Sequence, residues 1–230
     1  MDIKKNLEEV LNNIELAEKR SVTGEKVKLI AVTKTHGIDI IEKAIELGVK
    51  DIGENKVQEL TKKIEVLKDK VNYHMIGNLQ SNKVKFIYNK VKLIHSLDRL
   101  SLAKEIEKRA SQDDIKVNCL IQINIGDEST KGGIELRDTE KFVESLLEFN
   151  HIKIMGLMAI APDTDDEKLL RTCFKNMFNI KEKIKSKGYE GLEMKYLSMG
   201  MSNDYEIAIE EGANMVRVGS KIFGARNYNI

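Results

Sequence analysis

Eight short apolar runs, each ended by a polar or glycine turn, recur from Lys28 to Gly219 with helical spacing in most of the gaps. They read as strands: KLIAVT (28–33), KDIGE (50–54), NYHMIG (72–77), KLIHS (92–96), KVNCLIQIN (116–124), IKIMGLM (152–158), MKYLSM (194–199) and NMVRVG (214–219). Helical patterns lie between them, such as IDIIEKAIEL, ENKVQELTKKIEVL, DRLSLAKEIEKRA, LRDTEKFVESLLEF, DEKLLRTCFKNMFNIKEKIK and NDYEIAIEEG. Strands alternating with helices pair in parallel through right-handed crossovers. Eight such units in 230 residues predict an α/β fold, a single (β/α)8 TIM barrel. Ahead of the first strand, Ile3, Leu7, Val10, Leu11 and Ile14 space out one face of an extra N-terminal amphipathic helix. No Pro/Gly/Ser-rich linker interrupts the chain, and its one proline, Pro162, falls after the sixth strand, so residues 1–230 read as one domain. A doubly wound open sheet is the structural rival; the even rhythm to the end of the chain favours closure.

Composition narrows the function. With 41% hydrophobic and 33% charged residues the chain is an ordinary globular protein. Lys+Arg number 38 against 37 Asp+Glu, and the basic residues alternate in sign with acidic ones in KKIEVLKDK and KEIEKR. These are solvated helix faces, not a nucleic-acid surface. The N-terminus lacks the apolar core of a signal peptide and no stretch is long enough to span a bilayer, so no membrane role is expected. Cys119 and Cys173, far apart in apolar surroundings, read as reduced core thiols of a cytoplasmic protein.

In a barrel of this kind functional groups gather at the C-terminal ends of the strands. Those positions hold Lys34, Glu54, Asn55, Gly77, Asn78, Ser96, Asp98, Asn124, Met158, Ser198, Arg217 and Gly219. A lone lysine at a strand end ordinarily lays its stem on apolar surface and its ammonium in water. Here it has company. SMGMSND (198–204) precedes the seventh helix, with Ser202 or Asn203 placed to cap it, and RVGS (217–220) follows the eighth strand. Glycines admit a ligand close to the backbone, and free N–H groups there favour an anion, so the two loops form the fold's usual phosphate site. A lysine at an apolar mouth loses hydration, which favours the neutral amine able to attack a carbonyl. Amine and phosphate grip together describe two chemistries: Schiff-base aldolases acting on sugar phosphates, and pyridoxal phosphate.

The stretches IAVTKT (30–35), DIGENKVQE (51–59), HMIGNLQSNK (74–83), IHSLDR (94–99), QINIGDESTKGG (122–133), GLMAIAP (156–162), LSMGMSNDYEIAI (197–209) and VRVGSKIFGAR (216–226) together resemble the pyridoxal phosphate homeostasis proteins. That family is related to the N-terminal barrel domain of alanine racemase, and the likeness runs over residues 5 to 226. It implies a fold type III barrel holding pyridoxal 5'-phosphate as an aldimine on Lys34. It further implies Asn55 beside the ring, Ser198, Ser202, Gly219 and Ser220 around the phosphate, and Arg217 near the pyridine nitrogen. Met199, Gly200 and Met201 would shape the loop and cover the ring edge. His74 and Asn78 belong to a matching motif; His74 reads as a core or supporting histidine. His36 and Gly37 stand where many members carry Lys-Pro, and Ser220 and Lys221 where many carry Thr-Ala.

An arginine at the pyridine nitrogen, always charged, favours an unprotonated ring and a weaker electron sink than a carboxylate would. Racemases with such an arginine rely on a tyrosine base from a second β-domain across a dimer interface. This chain ends at Ile230, directly after the eighth unit. The expectation is therefore a monomeric carrier that buffers pyridoxal 5'-phosphate and maintains its homeostasis, with no catalytic residue, no metal and transient contact with apoenzymes. The alternative is a cofactor-dependent enzyme with weak racemase-type activity. Lys83 and Lys131 are candidates for a second cofactor site.

Overall fold

The computed structural model describes residues 2–126 and 132–224; Lys131 and residues 225–230, with the end of the VRVGSKIFGAR motif, lie outside the described residues. Helix α1 (Ile3–Glu18) begins where Asp2 accepts the Lys5 N–H at 3.1 Å, and buries Leu7, Val10 and Ile14. The strands follow as β1 (Lys28–Val32), β2 (Asp51–Glu54), β3 (Asn72–Met75), β4 (Leu93–Leu97), β5 (Val117–Asn124), the two-residue β6 (Ile134–Glu135), β7 (Ile152–Ala159), β8 (Leu192–Ser198) and β9 (Met215–Val218). Every pairing is parallel. Ile30 faces Arg217 where β1 meets β9, and Ile94 faces Cys119 where β4 meets β5, so eight strands close into a barrel with β6 attached beside the end of β5. The open-sheet alternative is thereby excluded.

Helices α2 (Ile38–Glu46), α3 (Val57–Leu67), α4 (Leu100–Gln112), α5 (Thr139–Leu146), α6 (Glu167–Ser186), α7 (Tyr205–Glu210) and α8 (Ser220–Phe223) surround the barrel, and α1 packs across α7 and α8. Between β3 and β4 the connection is a 3₁₀ segment, Ser81–Phe86, rather than a helix. In that stretch only Val84 is buried among mostly polar neighbours, too thin an apolar stripe to pack an α-helix.

Two cores result. The larger lies between strands and helices; the smaller fills the barrel with Ile30, Leu93, Leu120, Met155, Met158 and Met215. Each such side chain contributes about 1.5–3 kcal/mol on leaving water. Both cysteines are buried and neither is in a disulfide among the described residues, and no helix among them is long and apolar enough to cross a membrane.

Candidate functional site

A cavity of about 760 Å³ opens at the C-terminal ends of the strands, and Lys34, Asn55, Met201, Ser202, Arg217, Gly219 and Ser220 all line it. Ser198, Met199 and Gly200 lie behind that wall. Ser198 and Met199 are fully buried, and Gly200 turns the chain against Tyr205 and Ala208.

Lys34 follows directly on β1, and its neighbours are pinned from beneath. The Thr33 hydroxyl donates to Glu54 Oε1 at 2.5 Å, while Lys63 Nζ donates to the Thr33 carbonyl at 2.8 Å and to the same Glu54 oxygen at 2.5 Å. On the other side Thr35 sits at φ 68°, an uncommon place for a β-branched residue. Its N–H donates to Glu59 Oε2 at 3.1 Å and its hydroxyl to the Lys34 carbonyl at 2.6 Å. Strain of this sort persists only where the surroundings impose it. Glu54 is buried within the sheet–helix layer, and burial raises its carboxyl above the usual range against the pull of Lys63.

Asn55 owes its place to Gly77. A Cβ on Gly77 would come within 2.4 Å of the Asn55 carbonyl oxygen, so the turn after β3 can lie on the turn after β2 only without a side chain. Asn78 and Gln122 add amides to this half of the wall, and Gln122 Nε2 donates to the Gly132 carbonyl at 2.7 Å.

Across the cavity the loop after β8 folds onto the loop after β9. The Gly219 N–H donates to Ser202 Oγ at 3.2 Å, and the Arg217 N–H to the Gly200 carbonyl at 3.0 Å. Ser202 and Asn203 do not cap α7. Asp204 occupies that position, and its carboxylate turns back to accept the Met201 N–H at 2.6 Å. Ser202 is drawn off because the next loop offers it a donor.

Arg217 forms the floor. It is 3% exposed, with Nη1 donating to the Ser198 carbonyl at 2.9 Å and hydroxyl at 2.7 Å, and Nη2 donating to the Ala159 carbonyl at 2.8 Å. Burial pulls its pKa down to about 10, opposed by the charge of Asp204, so it stays a cation at neutral pH. Behind Ser198 stands His95, which strand-end counting passes over because it points into the barrel one layer below the mouth. His36 is the other addition. It lines the cavity with its ring centroid 5.0 Å from that of Phe223, and burial, then Lys63, lowers its pKa.

The closed parallel barrel, with its cavity at the C-terminal ends of the strands, is the fold of the alanine racemase N-terminal class. The family model described as alanine racemase, N-terminal domain, matches residues 6–227. A pyridoxal phosphate homeostasis protein of Aquifex aeolicus is 42% identical, the match covering 99% of this chain and 100% of that one. The chain belongs to the pyridoxal phosphate homeostasis protein family. Among solved structures, an unknown protein from Bifidobacterium adolescentis superposes with a TM-score of 0.91 at 34% identity, covering 96% of this chain and 94% of that one. PipY of Synechococcus elongatus, solved with PLP bound, gives 0.84 at 28%, covering 97% and 100%.

Proposed function

We propose that this protein binds pyridoxal 5'-phosphate at the barrel mouth and acts as its carrier and buffer. One observation carries the reading: Lys34, the Ser202–Gly219 loop pair and the Arg217 guanidinium converge on one cavity of about 760 Å³. The donor set fits the group. A primary amine matches the aldehyde, the Ser202 and Ser220 hydroxyls with backbone N–H groups match the phosphate, and a fixed cation matches a neutral ring nitrogen. When bound, the cofactor supplies a reactive aldehyde and a conjugated ring that accepts electrons. Lys34 is the covalent anchor, Asn55 lies beside the ring, and Met201, 38% exposed, covers its edge. Ser198 acts through Arg217, and Met199 and Gly200 shape the loop.

The names of the relatives and the solution of PipY with PLP support this reading. A guanidinium rather than a carboxylate at the ring nitrogen weakens the electron sink, which suits storage better than turnover. The protein acts in this account as a cytoplasmic monomer of one domain in transient contact with apoenzymes. His36 in the cavity wall favours a second reading, weak racemase-type activity, because a neutral imidazole there is a candidate proton carrier.

The visible spectrum tests the site. Wild type given the cofactor should absorb near roughly 420 nm, the region of a conjugated lysine imine, and borohydride should fix the cofactor to the chain. Lys34→Ala should lose the band and the fixation. A wild type with neither overturns the reading. Racemisation at a rate near that of dedicated enzymes, abolished by Lys34→Ala, would replace the carrier by the enzyme.

A further inference from the structure

The interior of this barrel is not apolar throughout. A column of buried polar side chains crosses it from the mouth to the opposite rim, drawn from β2, β3, β4, β8 and β9. Arg217 Nη1 meets Ser198 Oγ at 2.7 Å, and Ser198 Oγ meets His95 Nδ1 at 3.2 Å. His95 Nε2 meets His74 Nδ1 at 3.0 Å, and His74 Nε2 meets Asp51 Oδ1 at 3.0 Å. Asp51 ends the column, held by Asn72 Nδ2 and Lys28 Nζ, each at 3.1 Å, beside a second cavity of about 410 Å³.

One set of protons satisfies all of it. Arginine has only donors, so Ser198 Oγ accepts and its own hydrogen is left for His95 Nδ1. His95 then carries its proton on Nε2 and donates to His74 Nδ1. His74 in turn carries its proton on Nε2 and donates to the carboxylate. Starting from Asp51, which has only acceptors when ionised, gives the same assignment. All four hydrogen bonds run the same way, from cation to carboxylate, and aligned bonds of this kind strengthen one another. The charges facing the histidines agree with neutral rings. His74 is lowered by burial against the pull of Asp51, with Lys28 and Lys92 adding to the lowering, and His95 by burial, His74 and Arg217.

We propose that His95 and His74, backed by Asp51, are positioning residues for Arg217, holding the guanidinium through Ser198 as a fixed donor toward the cofactor's ring nitrogen. The proposal rests on the cofactor site argued above. Its reach is the whole depth of the barrel: among the described residues Arg217 donates to neutral acceptors, and the column delivers the orienting influence of a carboxylate four hydrogen bonds away.

Two experiments test it. In ligand-free protein with ¹⁵N-labelled histidine, two of the four rings should be neutral Nε2–H tautomers at pH 7 and take up protons only below the ordinary histidine value of about 6.5. Their signals are assigned by loss in His74→Gln and His95→Asn. Either ring found as the Nδ1–H tautomer, or doubly protonated at pH 7, overturns the column. In the second, pyridoxal phosphate is titrated into Ser198→Ala, His95→Leu and His95→Asn. The first two should bind about tenfold more weakly, one hydrogen bond to a charged group, and show a displaced visible band at saturation. His95→Asn, which keeps an acceptor where Nδ1 stands, should recover most of both. An unmoved band and unchanged affinity in folded Ser198→Ala and His95→Leu overturn the proposal. If wild type itself gives no band, the cofactor reading has failed and takes this proposal with it, whatever the tautomers.

Discussion

Glu54 Oε1 lies 2.5 Å from Thr33 Oγ1, and this one buried oxygen, which also receives Lys63, fixes the residue immediately before Lys34. Glu54 and Lys63 are both buried, so two charges have left water for each other and for the backbone of the lysine loop. Removing one partner strands the other.

Lys63→Ala should therefore lower stability by about 3–5 kcal/mol, whereas Glu54→Leu with Lys63→Met, an apolar pair of similar volume, should regain most of it. Urea unfolding of Lys63→Ala, of Glu54→Leu and Lys63→Met singly, and of their double decides the matter. If the double variant is as unstable as the sum of the singles, the pair is not a coupled clamp.

Gly77→Ala should cost about 2 kcal/mol, the range for forcing a methylene into close-packed structure, because the atoms it meets are backbone and cannot rotate aside. The turn carrying Asn55 must then move, so cofactor affinity should fall together with melting temperature. A Gly77→Ala protein of unchanged melting temperature and unchanged affinity would refute the close approach as the reason for glycine there.

Much of this barrel is legible from periodicity, since strands such as β2, β4, β5, β7 and β9 are buried on both faces and read as apolar runs. The β3–β4 crossover is not, because its 3₁₀ segment buries little beyond Val84. At the site, Lys34 and Arg217 stand at strand ends where counting finds them. Ser198 stands there too, yet its hydroxyl turns from the cavity to Arg217 and His95, a choice made by neighbours 19 and 103 residues away. Local preference made Ser202 a helix cap, and the Gly219 N–H from the adjoining strand's loop outcompeted it. His95 and Lys63 escaped notice because their partners come from other strands and helices, and no spacing within one segment records that.

Ser202→Ala removes the acceptor of the Gly219 N–H and a hydroxyl from the side of the cavity proposed to hold the phosphate. Binding of pyridoxal 5'-phosphate should weaken by about tenfold, a hydrogen bond to a charged group, while unphosphorylated pyridoxal should bind as to wild type. The ratio of the two dissociation constants is the reading. Equal weakening of both would move the phosphate elsewhere in the mouth.

Acid should unfold this protein earlier than its carboxylates alone require. His74 and His95 are held neutral chiefly by burial, with pKa values below the ordinary histidine value, and their unfolded counterparts take up protons below about pH 6.5. The unfolded chain then binds more protons than the folded one, so stability falls as pH falls, by up to about 1.4 kcal/mol per pH unit for each ring. His36, shifted the same way but less enclosed, adds a smaller share. Asp51, whose burial is outweighed by His74 and Lys28, is lowered overall and contributes a further loss only in the carboxylate range. Glu54 and Asp204, raised by burial, oppose it there. The window from pH 6.5 to 5 therefore belongs to the histidines. Urea unfolding across that window should show the decline in wild type, and a shallower one in His74→Gln/His95→Asn, whose side chains do not titrate. Wild-type stability that is level between pH 7 and 5 would mean that the rings accept protons inside the barrel, and the column could not be the neutral, one-directional chain its geometry describes.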